Sequence, residues 1–78
     1  MISIINKLKE AREQKGITLA RASEDTRISV KFLESLEKEN YEVFPAEVYL
    51  KGFLRIYSIY LGLNPEEILE EYEKNKGD

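Results

Sequence analysis

The sequence of 78 residues contains neither cysteine nor histidine. Without cysteine, no disulfide bond and no thiolate metal site can reinforce the fold, so packing of secondary structure must stabilise it alone. Without histidine, the side chain that most often serves as a general acid or base near neutral pH is missing too. Carboxylates, lysine, tyrosine, serine and threonine are the reactive groups that remain. We therefore expect no enzymatic activity, no metal site and no cofactor.

Long apolar runs are also missing. No run approaches the ~18 residues needed to span a bilayer. The apolar start of the chain is interrupted by Asn6, Lys7 and Lys9 too early for a signal peptide. A chain of this length forms one domain and buries roughly 60–65% of the surface that its unfolded form exposes. We expect a soluble domain over residues 1–73, followed by the start of a linker at residues 74–78.

The net charge of −3 is unevenly distributed along the chain. Residues 1–21 carry five basic side chains against two acidic ones, whereas residues 22–47 carry seven acidic against three basic ones. Only the first segment could present a basic stripe to nucleic acid, and such a stripe is most often a solvated helix face. The charge balance therefore argues mildly against a nucleic-acid partner.

Capping residues and apolar periodicity predict five helices. The first runs from an N-cap at Ser3 to Lys15, and Gly16 suits the left-handed position after its end. The second is short and runs from an N-cap at Thr18 to about Asp25. Both predictions depend on local chemistry, because capping hydrogen bonds join residues only two or three positions apart.

The third helix is predicted from Ser29 to about Glu39–Asn40. Proline disfavours helix at the residue before it, so Tyr41–Pro45 should be an extended crossing. The fourth helix should run from about Ala46 to Leu61. The fifth opens with Asn64 as its N-cap, Pro65 at its first position and glutamates behind it. Its apolar stripe consists of Ile68, Leu69 and Tyr72.

The pattern of residues 8–38 is typical of a helix-turn-helix, in which two short helices cross steeply through small residues. We expect Ala20 to face inward at that crossing. A generic small helical bundle is the alternative. The predicted fold class is all-α: a small five-helix bundle containing a repressor-like helix-turn-helix. The apolar positions that carry the pattern are Leu8, Ala11, Ala20, Ile28, Leu33 and Leu36.

The candidate recognition helix of this motif is acidic. Its early exposed positions offer Lys31, and three glutamates follow at Glu34, Glu37 and Glu39. Binding to duplex DNA depends largely on neutralising phosphates, which an acidic reading head repels. We expect the domain to bind protein rather than DNA. A DNA-binding transcriptional regulator remains the alternative.

The fourth helix holds four of the eight aromatic residues of the chain. Its apolar arc is wider than the stripe of a little over 100° that a surface helix needs, and its narrow polar face comprises Lys51, Arg55 and Ser58. Two explanations are open: the helix is central and covered on both sides, or part of the arc is an exposed docking patch. Gly52 favours a close packing contact on its own side, because mid-helix glycine costs roughly 1 kcal/mol.

Residues 36–65, together with residues 8–16, resemble the RodZ family of bacterial cell-shape proteins, and the resemblance extends from about residue 4 to residue 72. One departure is Ala46, where that family often has glycine. The motif that carries the resemblance lies in residues 45–55. It is specific, and ordinary repressor-type helix-turn-helix domains lack it. Its residues are Pro45, Val48, Tyr49, Lys51, Gly52, Phe53, Leu54 and Arg55.

The resemblance implies a cytoskeletal adaptor on the cytoplasmic side of the bacterial inner membrane. It would bind MreB, the bacterial actin homologue, and anchor its filaments, supporting rod shape and wall elongation. Residues 74–78 would lead towards a single membrane span that this chain does not contain. In the family, aromatic residues of the fourth helix contact MreB; by motif position these are Phe53 and Tyr57. The weaker candidates are Tyr49, Tyr60, Lys51 and Arg55.

The absence of cysteine and histidine leads to a prediction about folding. The domain should melt cooperatively, at the same temperature with and without chelator or reductant, because capped and packed helices supply its stability. Circular dichroism at 222 nm during heating measures this. A large loss of helicity in chelator would contradict the prediction.

Overall fold

The computed structural model describes residues 4–76, and within them the side chains of residues 7–75. Five α-helices and one 3₁₀ turn make up the described part of the chain, so the predicted all-α architecture is confirmed. The helices are α1 (Ile4–Gln14), α2 (Leu19–Thr26), α3 (Val30–Glu37), α4 (Glu47–Tyr60) and α5 (Pro65–Lys76), and the 3₁₀ turn is Tyr41–Val43.

Side-chain caps begin three of these helices as predicted. The hydroxyl of Thr18 accepts from the backbone N–H of Arg21 at 3.1 Å, and that of Ser29 accepts from the N–H of Phe32 at 3.3 Å. The side-chain oxygen of Asn64 accepts from two backbone N–H groups at the start of α5, at 2.9 and 3.3 Å. Each cap satisfies donors that a helix start leaves without an intrahelical partner. The predicted cap at Ser3 lies outside the described residues.

The link between α3 and α4 differs from the prediction. Helix α3 ends at Glu37, earlier than predicted, and Glu39 adopts a left-handed φ of +57°. Tyr41–Val43 then forms a 3₁₀ turn, which the N–H of Phe44 closes by donating to the carbonyl of Tyr41 at 3.2 Å. Phe44 is extended, as its position before a proline favours, and Ala46 before the start of α4 is extended as well.

The core lies where all five α-helices meet. In the second helix the structure buries Ala22 and exposes Ala20, so the prediction that Ala20 faces inward is wrong. At about 100° per residue, Ala22 lies near the partly buried Leu19 and Ala20 on the far side. The buried apolar residues are Leu8, Ala22, Ile28, Leu33, Leu36, Phe44, Leu50, Leu54, Tyr57, Leu61, Ile68 and Tyr72.

Helix α4 lies antiparallel to α5 on one side and contacts α2 and α3 on another. Its buried face consists of Leu50, Leu54, Tyr57 and Ser58. Ser58 was expected on the polar face. Instead its hydroxyl is fully buried and donates to the carbonyl of Leu54 at 2.7 Å, which satisfies it without water.

A buried polar network joins α1, α3 and α4. Arg12 donates two hydrogen bonds to the carboxylate of Glu37, at 2.7 and 3.2 Å, and a third to the carbonyl of Ile17 at 2.9 Å. The hydroxyl of Tyr57 donates to the same carboxylate at 2.5 Å. Glu37 is only 4% exposed, so these donors replace the water that its charge has lost.

This network predicts unequal effects of mutation. Glu37→Ala should lower the free energy of unfolding by about 3–5 kcal/mol, because it leaves the Arg12 guanidinium largely buried without its counter-charge. Tyr57→Phe should cost about 1.5–3 kcal/mol, since it removes one hydrogen bond to a charged group and keeps the ring. Urea denaturation measures both changes.

Glu34→Ala is the matched control for Glu37→Ala, because Glu34 lies on the same helix and pairs with Lys38 at the surface. An exposed pair of this kind contributes at most about 1 kcal/mol. Equal losses for the two substitutions would contradict a stabilising role for the buried network.

Candidate protein-binding site on the fourth helix

Tyr57, one of the two residues predicted to centre the docking site, is fully buried. Burial and the hydrogen bond to Glu37 together raise the pKa of its hydroxyl well above the ordinary value, so the phenol remains a neutral donor. Four residues advance a helix by about 400°, so Tyr57 lies about 40° further round α4 than Phe53, towards the core. The expectation that both rings meet a partner at the surface is therefore wrong for Tyr57.

Phe53 is partly buried in an aromatic cluster that runs from the core to the surface. Its ring centroid lies 5.5 Å from that of Phe32 and 6.2 Å from that of Phe44. On the outer side, Tyr49 lies 6.4 Å from Phe53 and is 53% exposed. On this side of α4 the rings that reach the surface are thus Tyr49 and the partly buried Phe53.

Tyr60 ties α4 to α2. Its hydroxyl donates to the carboxylate of Asp25 at 2.7 Å, and Asp25 also accepts from Arg21 at 3.1 Å. The hydrogen bond from Tyr60, followed by that from Arg21, lowers the pKa of this exposed carboxyl group. Tyr60 is partly buried and directed towards the helix-turn-helix, which makes it a boundary of the exposed face.

The two predicted basic candidates form the opposite boundary. Arg55 donates to Glu66 at 3.0 Å, and Lys51 pairs with Glu73, so both cations are directed towards α5. Both pairs are substantially solvated, and such pairs contribute little to stability. Their effect at this site is that each positive charge beside the exposed face already has a negative partner.

The exposed face itself consists largely of residues that the sequence analysis did not select. Among the described residues, four of the five large hydrophobic side chains that are exposed belong to α4. Successive residues are about 100° apart around a helix, and these four side chains fall within an arc of about 100°. A helical projection of the sequence therefore places them on one face. We call this set the α4 ridge; it comprises Val48 (71% exposed), Tyr49 (53%), Ile56 (45%) and Ile59 (57%).

The predicted packing contact at Gly52 is not present. A Cβ atom built on Gly52 would meet nothing within 4 Å. The residue lies in the same arc as the α4 ridge, one turn after Val48 and one turn before Ile56. The ridge is therefore interrupted at its middle by a position without a side chain.

Comparison with known proteins assigns the domain to a family. Residues 7–68 match the model of a helix-turn-helix domain family. A chain in the solved structure described as "Bacterial actin MreB assembles in complex with cell shape protein RodZ" shares the fold, with a TM-score of 0.88 and 35% identity over 95% of this chain and 90% of that one. The chain belongs to the RodZ type of helix-turn-helix domain.

Two curated relatives are longer proteins. The cytoskeleton protein RodZ of Streptococcus pneumoniae is 27% identical over 66 residues, which cover 85% of this chain and 24% of that protein. The uncharacterized membrane protein YmfM of Bacillus subtilis is 32% identical over 50 residues, covering 64% of this chain and 17% of that protein. The chain thus spans less than a quarter of either relative. Within residues 4–76, no helix is both long and apolar enough to cross a membrane.

The reading face of this RodZ-type domain carries no net positive charge at its surface, and the prediction for one of its residues is wrong. Glu37 is buried against Arg12 and does not face a DNA duplex, contrary to the prediction. Four other acidic residues around α2 and α3 are exposed beside four exposed cations, and two of these cations, Arg21 and Lys38, are paired with two of the carboxylates. The exposed acidic residues are Glu24, Asp25, Glu34 and Glu39.

This surface predicts no retained complex with duplex DNA, because its exposed carboxylates offset its exposed cations and leave no net positive charge to neutralise phosphates. Titration of labelled random and genomic duplexes at low salt should show no stable shift. Glu34→Lys should increase non-specific binding and make it more sensitive to salt. Sub-micromolar, sequence-dependent binding by the unaltered domain would contradict the prediction.

Proposed function

We propose that this domain binds an MreB-type actin-like filament protein through the α4 ridge, with Tyr49 and the outer part of Phe53 as the aromatic anchors. The observation that carries the proposal is the concentration of exposed apolar side chains on α4, in a chain whose fold matches that of a RodZ chain solved with MreB. Contiguous exposed apolar patches on small soluble domains commonly mark interaction sites.

The composition of the ridge fits a protein partner. Aromatic residues are enriched in protein interfaces, and a few large, well-packed side chains usually supply most of the binding free energy. Fully burying one valine or isoleucine side chain contributes about 1.5–3 kcal/mol. The charged groups flanking the ridge are paired within the domain, as in Arg55–Glu66 and Lys51–Glu73. Binding should therefore depend on shape and apolar contact more than on charge.

The rigid mounting of α4 also supports this role. Its inner face is held by Tyr57 and the buried leucines, and its sides are held by α2 and α5. A surface fixed in this way loses little conformational entropy when a partner binds. The ridge is thus presented by a helix that does not need to rearrange.

The cellular role follows from the same family relationship. We infer that the domain anchors MreB filaments to the inner membrane from its cytoplasmic side and so supports rod shape and wall elongation. Support comes from the membrane and cytoskeletal relatives named above. In this arrangement the domain supplies the filament contact, and a segment outside it supplies the anchor.

A matched pair of valines tests the proposal. Val48 begins the ridge near the start of α4, and Val30 is an exposed valine at the start of α3. Glutamate near a helix N-terminus is favourable, so Val48→Glu and Val30→Glu should both fold normally. Cosedimentation with polymerised MreB should be lost for Val48→Glu and retained for Val30→Glu.

Tyr49→Ala extends the same test to the aromatic anchor. Truncating an interface anchor typically costs about 2 kcal/mol or more, which weakens binding roughly thirtyfold. The melting temperature should change little, since the Tyr49 side chain is mostly exposed. Normal cosedimentation of a folded Val48→Glu, Tyr49→Ala double variant would refute the proposed site.

A further inference from the structure

Neither the backbone conformation nor the packing of the domain explains why residue 52 is glycine. Glycine is favoured where φ is positive, but the described glycines with positive φ are Gly16 and Gly62. It is also required where the chain approaches itself closely, yet nothing lies within 4 Å of a Cβ at Gly52. The residue lies in the interior of α4, where glycine is less favourable than alanine because of its backbone entropy. The missing side chain destabilises the domain without a compensating contact inside it.

The position of Gly52 on α4 indicates what the absence of a side chain makes possible. Val48, Gly52, Ile56 and Ile59 fall within an arc of about 80° on α4. Gly52 therefore forms a notch in the α4 ridge, with an exposed branched side chain one turn away on each side. A glycine in such a row allows another backbone or a bulky side chain to come closer than a Cβ would permit.

We propose that Gly52 is the point of closest approach between α4 and the MreB-type filament protein, whose apolar segment enters the notch between Val48 and Ile56. This inference rests on the proposed function and adds a geometric requirement to it: the partner recognises a gap as well as an apolar surface. Because the adjacent Arg55 and Lys51 are paired with glutamates of α5, the recognition is steric and apolar. Its strength should vary little with salt.

The first measurement separates folding from binding. Gly52→Ala should raise the melting temperature by about 4–8 °C, because alanine restores helix propensity and there is open space for its methyl group. The same variant should bind polymerised MreB more weakly, by roughly five- to a hundredfold, as expected when extra volume is forced into a tight contact. A gain in stability together with a loss of binding is the signature of a glycine retained for a partner.

Gly52→Leu distinguishes a notch from a simple apolar patch. Leucine enlarges the apolar surface of the ridge, so a patch that is merely apolar would bind as well or better. A contact that needs the gap would instead lose binding almost completely. Ala20→Leu is the matched control: Ala20 is an exposed small residue on α2, and the same kind of enlargement there should leave binding unchanged.

The outcomes of these experiments are distinct. If the unaltered domain fails to cosediment with MreB, the proposed function fails and this inference with it. If the unaltered domain binds but Gly52→Leu binds equally well, the proposed function stands and the notch is refuted. A lower melting temperature for Gly52→Ala would assign the glycine a role inside the fold and also overturn the inference. Self-association of the unaltered domain that is lost in Gly52→Leu would also overturn the inference, because a second copy of the chain would then occupy the notch. The sedimentation coefficient of each domain without MreB measures this.

Discussion

The buried carboxylate of Glu37 is the group on which the arrangement of this domain depends. It receives Arg12 from α1 and Tyr57 from α4, while Arg12 also holds the carbonyl of Ile17 before α2. A buried charge is tolerated only when its donors are correctly placed, so each helix in the network has little freedom to shift. The rotation of α4 about its axis follows from this, since Tyr57 must face inward. The opposite side of α4, with the α4 ridge, is thereby turned outward.

Local features of the fold could be predicted from the sequence, because their causes lie within a few residues. The caps at Thr18, Ser29 and Asn64 each act on N–H groups two or three positions away. The left-handed conformation of Gly16 also follows from its place after a helix end. The five helices and the helix-turn-helix could therefore be predicted from the sequence alone.

The candidate site was less predictable, because the exposure of its residues depends on tertiary packing between helices. The apolar arc of α4 is wide enough that either half could face the core, and the choice depends on where α2, α3 and α5 pack. The sequence alone could not show that Tyr57 pairs with Glu37, 20 positions away, or that Glu37 is buried by Arg12, 25 positions away. The exposure of Tyr49 and the empty space beside Gly52 follow from the same packing.

The antiparallel pairing of α4 and α5 has a mechanical consequence. Tyr72 donates to Glu47, and Glu73 pairs with Lys51, so the C-terminal end of α5 lies beside the start of α4. A tether attached after α5 would therefore pull next to the end of α4 that carries Val48 and Tyr49. Tension would pass from α5 directly to α4 through a short path of side-chain contacts. Helices α1 to α3 would lie outside that path, so tension between the end of α5 and the α4 ridge would not have to unfold them.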